Sequence, residues 1–271
     1  MLKQTSPVAI VTGASTGIGR ATAAALRKEG YQVFGTSRKP AAQGPQGVEM
    51  CLCDVTDAKS VSDLITYVVE KTGRIDILVN NAGLGITAGA EEVSVDLAKS
   101  LFEVNVFGAL RMIGEVLPIM RRQKGGRIIN LSSVLGFMPA PYMAHYAATK
   151  HALEGYSESL DHEVRGFGIR VLLIEPAYTR TSFDANALSP DRVLGIYEDG
   201  RAGAEAVMEK AMTSGDDPET VAQTVLKAVS DRTPKLRYPA GKMAKQVSLL
   251  RRFVPAAAFD KSLRQQNGLP V

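Results

Sequence analysis

Hydrophobic and polar positions along this chain fall into two kinds of run. Six short segments are almost continuously apolar: PVAIVTGA, YQVFGTSR, VEMCLCDV, DILVNNAG, GRIINLSS and IRVLLIEPA. Between them lie longer stretches with helical patterning, over Gly17–Glu29, Asp57–Lys71, roughly 94–123, and Ala144–Val164. Strands that are apolar on both sides belong in a parallel sheet with helices covering each face. Thr56 or Asp57 can cap the second helix, and Gly30, Gly73, Gly125 and Gly166 stand where helices should stop.

Strands alternating with helices in this way predict an α/β fold, a single Rossmann-type doubly wound domain over residues 1–271. Its sheet is mostly parallel, of about seven strands, with a ligand crevice at the carboxyl ends of the strands. After Pro176 the pattern changes. Residues from about 182 to 215 lack a clear strand and read as a mobile, helical substrate flap. Pro218–Arg232 reads as a helix and Lys235–Ala240 as a last, edge strand. Short amphipathic helices at Ala244–Phe253 and Ala256–Gln265 form a C-terminal extension over 242–271.

Composition narrows the class without naming a function. A hydrophobic share of 45% and a charged share of 22% are ordinary for a globular protein of 271 residues. The net charge of +4 is spread among interleaved acids and bases, so no nucleic-acid stripe is expected. Lys235, Arg237, Lys242, Lys245, Arg251 and Arg252 come nearest to a basic patch and read as solvated helix faces or an oligomer rim. No apolar run reaches the roughly 18 residues a transmembrane helix needs. The amino terminus enters a strand without the pattern of a signal peptide, which points to a cytoplasmic protein. Cys51 and Cys53 are too close for a comfortable disulfide and have no second pair to complete a metal site, so they read as small buried residues.

The candidate chemistry begins at TGASTGIG, Thr12 to Gly19, between the first strand and the first helix. Gly13, Gly17 and Gly19 allow a tight turn and a close approach of backbone amides to phosphate, with the helix amino terminus favouring negative charge. No Asp or Glu occurs between Glu29 and Glu49, so the second strand, ending GTSRKP, offers no carboxylate to ribose hydroxyls. Arg38 can instead fork onto a 2′-phosphate, with Lys39 as a second charge, which favours NADP(H); the plainer alternative is an arginine lying in solvent.

A second feature is YAATKHALEG, in which Tyr146 and Lys150 stand four apart on one helix face amid small residues. A free tyrosine has a pKa near 10. A lysine cation about 4 Å away, at an effective dielectric near 20, favours phenolate by roughly 4 kcal/mol, or about three pKa units before desolvation. Tyr146 could then act as general acid for ketone reduction and general base for alcohol oxidation.

Together these motifs resemble the short-chain dehydrogenase/reductase family, whose glycine string is T-G-x-x-x-G-x-G. Asn80-Asn81-Ala82-Gly83, Asn105, Ser133, Tyr146 and Lys150 follow in the family's order, and the resemblance covers roughly residues 7–185. It implies catalytic roles for Asn105, Ser133, Tyr146 and Lys150. Ser133 would hold the substrate oxygen, Lys150 the nicotinamide ribose, and Asn105 a water in the proton relay; Asn105 could also be no more than a kink in a helix. Cofactor contacts would come from Gly13, Ser15, Thr16, Gly17, Ile18 and Gly19, from Asp54 and Val55 at the adenine, and from Asn81, Ala82 and Gly83 beneath the ribose. Asp54 could equally cap the turn into Thr56 and Asp57.

Pro176-Ala177-Tyr178-Thr179-Arg180-Thr181 matches the family's P-G-x-x-x-T except that Ala177 replaces the glycine. Pro176, Thr179 and Thr181 would then lie along the nicotinamide, with Thr179 and Thr181 contacting its carboxamide. Residues expected around the substrate, besides Ser133 and Tyr146, are Val134, Phe137, Met138, Met143, Tyr178 and Phe183, an apolar set that suits a hydrophobic ketone or secondary alcohol. Some of these could simply pack the helix behind the site. The tail resembles the hydroxysteroid-dehydrogenase-like branch. The family also implies a homodimer or homotetramer. Neither a metal-ligand spacing nor a hydrolase nucleophile elbow occurs, so hydride transfer without a metal is expected. Two rivals stand beside this reading: a non-catalytic NADP(H)-binding sensor on the same fold, and a peripheral membrane or lipid-associated enzyme using the basic, apolar tail.

Overall fold

The structure, a computed structural model, describes residues 6–39, 42–183 and 186–269. The first five residues of the amino terminus, Pro40 of GTSRKP, residues 184–185 of the flap and the last two of the C-terminal extension therefore lie outside the described residues.

Seven parallel strands form one sheet in the order β3-β2-β1-β4-β5-β6-β7. They are β1 Val8–Val11, β2 Gln32–Ser37, β3 Glu49–Leu52, β4 Ile77–Asn80, β5 Gly126–Leu131, β6 Ile169–Pro176 and β7 Arg237–Ala240. The helices between them are α1 Gly17–Lys28, α2 Ala58–Thr72, α3 Val95–Phe102, α4 Gly108–Gln123 and α5 Ala144–Val164. After β6 come α6 Glu198–Thr213, α7 Pro218–Ser230, α8 Lys242–Phe253 and α9 Ala256–Gln266.

Side chains of a strand point alternately to opposite faces, and here both faces are apolar. Val8 and Ile10 of β1 join Leu64 of α2, Met112 of α4 and Leu160 of α5 in one core. Ala9 and Val11 join Leu26 of α1 and Val225 of α7 in the other. The chain builds outward from β1 through β2 to β3, then returns to place β4 on the other side of β1. The crevice at this switch point is where such sheets take their ligands.

Several local details differ from the sequence expectations. The stretch at 94–123 is two α-helices joined by a π-helical turn at Glu103–Phe107. Of the two proposed caps on α2 it is Asp57 that acts, its side chain accepting from the Lys59 amide at 2.8 Å, an arrangement that stabilises a helix by about 1 kcal/mol. Gly73 ends α2 as expected, but α4 ends on Lys124 rather than Gly125, and α5 runs through a 3₁₀ turn so that Gly168, not Gly166, carries the left-handed conformation. The left-handed residue stands one position before Gly125 and two after Gly166, each followed or held by a turn hydrogen bond. The Gly125 amide reaches Met120 O at 3.1 Å, and the Gly168 amide reaches Arg165 O at 3.0 Å.

Candidate active site

The glycine loop shows why its residues are small. Gly17 has φ 52, a left-handed conformation, and Thr181 stands over its open side. A β-carbon at Gly19 would overlap Gly13 O and the Asn81 side chain, so only glycine lets α1 begin this close to the loop. Thr16 at the N-cap makes no side-chain cap, and the first turn of α1 carries no acid. The helix thus offers amides and the positive end of its dipole to the crevice, which fits a phosphate of a dinucleotide. Ser15 and Ile18 are half-buried in the same loop, and Gly13 continues from Thr12.

The end of β4 is tied to this loop. The Thr12 hydroxyl accepts from the amides of Asn81 at 2.9 Å and Ala82 at 3.0 Å, while Asn81 Nδ2 donates to Thr12 O at 2.8 Å. Gly83 follows against the Asn105 side chain. Arg38 and Lys39 are exposed past the end of β2. Asp54 Oδ1 accepts from the Thr56 amide at 2.9 Å and the Thr56 hydroxyl at 2.8 Å, so its turn-capping role is present. Val55 is buried, and its carbonyl accepts from Arg111 at 3.4 Å.

The opposite end of the crevice is made of side chains. Tyr146 sits in the first turn of α5, buried, with its ring edge-on to Phe183 at a centroid distance of 5.9 Å. One turn later Lys150 lies over the same ring, Nζ 5.6 Å from the centroid, and donates to Leu131 O at the end of β5 at 2.7 Å. Ser133 begins two residues beyond that carbonyl, and its Oγ accepts from the Leu135 amide at 3.2 Å. Asn105, in the π turn, accepts from the Leu84 amide at 2.8 Å and donates to Leu84 O at 2.9 Å and to Thr149 Oγ1 at 3.1 Å. Thr149 in turn donates to Tyr146 O at 2.7 Å. Asn105, Tyr146, Lys150 and Ser133 are therefore joined through α5 and the end of β5. Thr149 is a link that the sequence reading missed, though its place beside Lys150 was a signal.

Burial sets the charge of Lys150. Removal from water pushes its pKa down to about 8, with Glu154 one turn further along opposing the shift. The lysine still carries its charge at neutral pH and loses it above about pH 8. Keeping a cation here costs roughly 3 kcal/mol relative to solvent, which is compatible with the fold only because the Leu131 carbonyl and a nearby carboxylate compensate.

That carboxylate belongs to a group absent from the sequence reading. Arg237, taken there with the solvated basic residues, extends Nε to Glu154 at 2.9 Å and to Glu175 at 3.4 Å, and Nη2 to Glu158 at 3.0 Å. Glu154 and Glu175 are buried, and burial raises both, Glu175 to about 8. A single acid within the apolar run IRVLLIEP was the available signal. Their location behind Ser132 and Lys150 puts an ionisable layer under the site.

Pro176 closes β6, and Ala177 follows without a left-handed backbone, so replacing the glycine costs no strain. Thr179 is buried and pairs with Asp216 across an isolated bridge; Thr181 Oγ1 accepts from the Phe183 amide at 3.2 Å. Val134, Phe137, Met138, Met143 and Phe183 pack with Tyr146 in one apolar cluster, which Ala244 and Val247 of α8 also join. Tyr178 lies between Ala177 and Thr179, and its carbonyl accepts from the Asp216 amide at 3.0 Å. The segment after Leu194 is fastened to the body of the domain by Glu92, fully buried after β4. Glu92 accepts from the amides of Gly89 at 2.7 Å and Leu194 at 2.9 Å and pairs with Arg201. Among the described residues no His, Cys, Asp and Glu group could hold a metal ion.

A parallel sheet with a glycine-lined switch point and a tyrosine–lysine pair at its carboxyl end defines a dinucleotide-type oxidoreductase architecture. The short chain dehydrogenase family model matches residues 7–191, and the chain belongs to that family. A 3-ketodihydrosphingosine reductase of Bacteroides thetaiotaomicron is 36% identical over 237 residues, covering 86% of this chain and 87% of the relative. A short-chain dehydrogenase from Streptomyces avermitilis superposes with a TM-score of 0.83 at 30% identity, over 99% of this chain and 100% of that one. Two further solved structures differ in cofactor. A metagenomic short-chain oxidoreductase in complex with NADP has TM-score 0.67 and 26% identity, over 86% of this chain and 95% of that one. A Burkholderia phymatum enzyme in complex with NAD has TM-score 0.79 and 28% identity, over 93% and 95%.

Proposed function

We propose that this protein is an NADP(H)-dependent oxidoreductase that interconverts a hydrophobic ketone and a secondary alcohol. The observation that carries the reading is the stack of Phe183, Tyr146 and Lys150 at the end of β5, with Asn105 reached through Thr149. The nicotinamide, when bound, supplies or accepts the hydride. Tyr146 exchanges the proton at the substrate oxygen, Ser133 orients that oxygen, and the Lys150 cation favours the phenolate. Asn105 holds the turn after β4 against α5 and keeps a path for the proton.

The apolar cluster around Tyr146 supports a hydrophobic substrate, and so does a 36%-identical relative named for keto reduction. The exposed Arg38 and the carboxylate-free end of β2 support NADP(H) over NAD(H). With this reading go one catalytic domain over 1–271, a flap over about 182–215, a homodimer or homotetramer, and a cytoplasmic location. No described helix is long and apolar enough to cross a membrane.

The direct test is oxidation of NADPH and NADH with a panel of aliphatic, aromatic and long-chain ketones. Activity with NADPH that is lost in Tyr146→Phe supports the assignment; equal turnover by the two proteins refutes Tyr146 as the acid. Tight cofactor binding without turnover on any ketone or alcohol would favour a sensor.

A further inference from the structure

Helix α8 has two apolar sides, and only one of them is covered. Ala244 and Val247 face inward, into the cluster that holds Tyr146, Val134 and Phe183, and Arg251 Nε donates to Phe137 O at 3.2 Å. Beside and beyond that inward side Met243, Leu249, Leu250 and Phe253 are 44%, 60%, 52% and 72% exposed. At about 100° per residue these four span a stripe of about 120° of the helix surface, with Lys242 and Gln246 among them. Other exposed large hydrophobics among the described residues include Leu52 and Tyr67, which line one shallow pocket with Glu49 and Asp63, and Val193 and Ile196, three apart in sequence.

Charge distinguishes what could cover the stripe. From Lys242 to the end of the chain, Lys242, Lys245, Arg251, Arg252, Lys261 and Arg264 are opposed by one acid, Asp260, a net +5 in a chain whose total is +4. Everything before Lys242 is thus close to neutral, and α8 itself, KMAKQVSLLRRF, has no acid at all. A second copy docked through this stripe would bring Lys242, Lys245 and Arg252 against their own counterparts. An anionic lipid surface offers negative charge to the flanks and acyl chains to the stripe, which is how interfacial helices are held.

We propose that the exposed face of α8 docks this protein on an anionic lipid surface, lying in the plane of the interface. Docked this way, the inner face of the same helix holds the apolar cluster around Tyr146 directly behind the interface, so an apolar substrate passes into the site without crossing bulk water. The proposal goes beyond the assigned reaction, and lipid binding is measured without turnover, so either can fail while the other stands.

The test is flotation of the full chain with vesicles of phosphatidylcholine, with and without about one-third phosphatidylglycerol. Binding to the anionic vesicles is expected at about 0.1 M salt, at least about tenfold stronger than to phosphatidylcholine alone and reduced at about 0.5 M salt. The triple variant Leu249→Ser, Leu250→Ser, Phe253→Ser and the double variant Lys245→Glu, Arg252→Glu should each lose about tenfold or more of that binding. All five side chains are exposed, so thermal unfolding and turnover of a water-soluble ketone should match the parent in both variants. Absence of binding to anionic vesicles, or equal binding by parent and variants, overturns the proposal. So does a concentration-dependent dimer in light scattering that the triple variant abolishes, because the occupant would then be a second copy.

Discussion

At the carboxyl end of β1 the chain presents backbone amides, two glycines in tight geometry and no acid in the first turn of α1. At the carboxyl end of β5 it presents a buried phenol, a buried ammonium and, behind them, two buried carboxyls. The first end recognises negative charge with dipoles that cost nothing to bury, because a helix terminus has unpaired amides in any case. Its weakness is steric, since one added carbon fills the space. The second end places ionisable groups out of water and must hold each by a specific partner: Leu131 O for Lys150, Arg237 for Glu154 and Glu175. Its weakness is electrostatic. Under the proposed reaction, recognition that tolerates no β-carbon and chemistry that tunes a proton are therefore separated along the carboxyl edge of one sheet.

The sharpest way to separate the two ends is Tyr146→Phe. It should lower kcat for ketone reduction on the order of 10³-fold while leaving cofactor affinity, read by fluorescence titration, within a few-fold. A parallel loss of affinity would mean the two ends are not separable. Gly19→Ala tests the other weakness. The added carbon meets Gly13 O and Asn81, and we expect dinucleotide binding to fall about 100-fold or more, with destabilisation of roughly 1–3 kcal/mol in denaturant unfolding. Next in size, Arg38→Ala should raise the KM for NADPH by about 10-fold and leave that for NADH unchanged, as expected for one charge-assisted pair to a phosphate. An equal change for both cofactors would remove Arg38 from the 2′-phosphate.

The smallest effect concerns the acid layer. Glu175 is raised to about 8 in the fold, above its unfolded value of 4.5. Its protonated form is the one the fold accommodates, so stability from this group is complete below about pH 4.5 and lost as pH rises through about 8. Glu175→Gln keeps a carbonyl for Arg237 and removes the ionisation. Its melting temperature relative to the parent should rise between about pH 5 and pH 9, by an amount corresponding to a few kcal/mol at most. A pH-independent difference would show that Glu175 does not titrate there.

What could be read from the sequence follows from range. TGASTGIG and the pair Tyr146–Lys150 are local, because their geometry depends on neighbours within one or two turns of the chain. The sheet was legible because both of its faces are apolar, so period mattered less than run length. Pairings across the chain were not legible. Glu92 meets Arg201 at a separation of 109 residues, and Arg237 meets Glu154 at 83. Arg237 looked like one more solvated cation because nothing beside it in sequence is acidic. The assignment of Asp54 was open on the sequence, and its carboxylate does cap the turn at Thr56. Tyr178 was grouped with the substrate residues on the sequence; its carbonyl accepting from the Asp216 amide is another pairing across the chain that sequence did not show.

The π-helical turn at Glu103–Phe107 has a consequence for how this chain can change. Such a turn accommodates an extra residue, and every residue of an α-helix advances the face by about 100°. Deleting one position there would let the segment relax into a regular spiral while α3 and α4 kept their faces, because the bulge absorbs that one residue. The change would be local: Asn105, which meets Leu84 and Thr149, lies inside the bulge, whereas Met112, Ile113 and Val116 beyond it would stay in the interior. Length is thus adjustable by one residue in this turn at the expense of Asn105, whereas a deletion within α4 itself would turn its apolar face by about 100°.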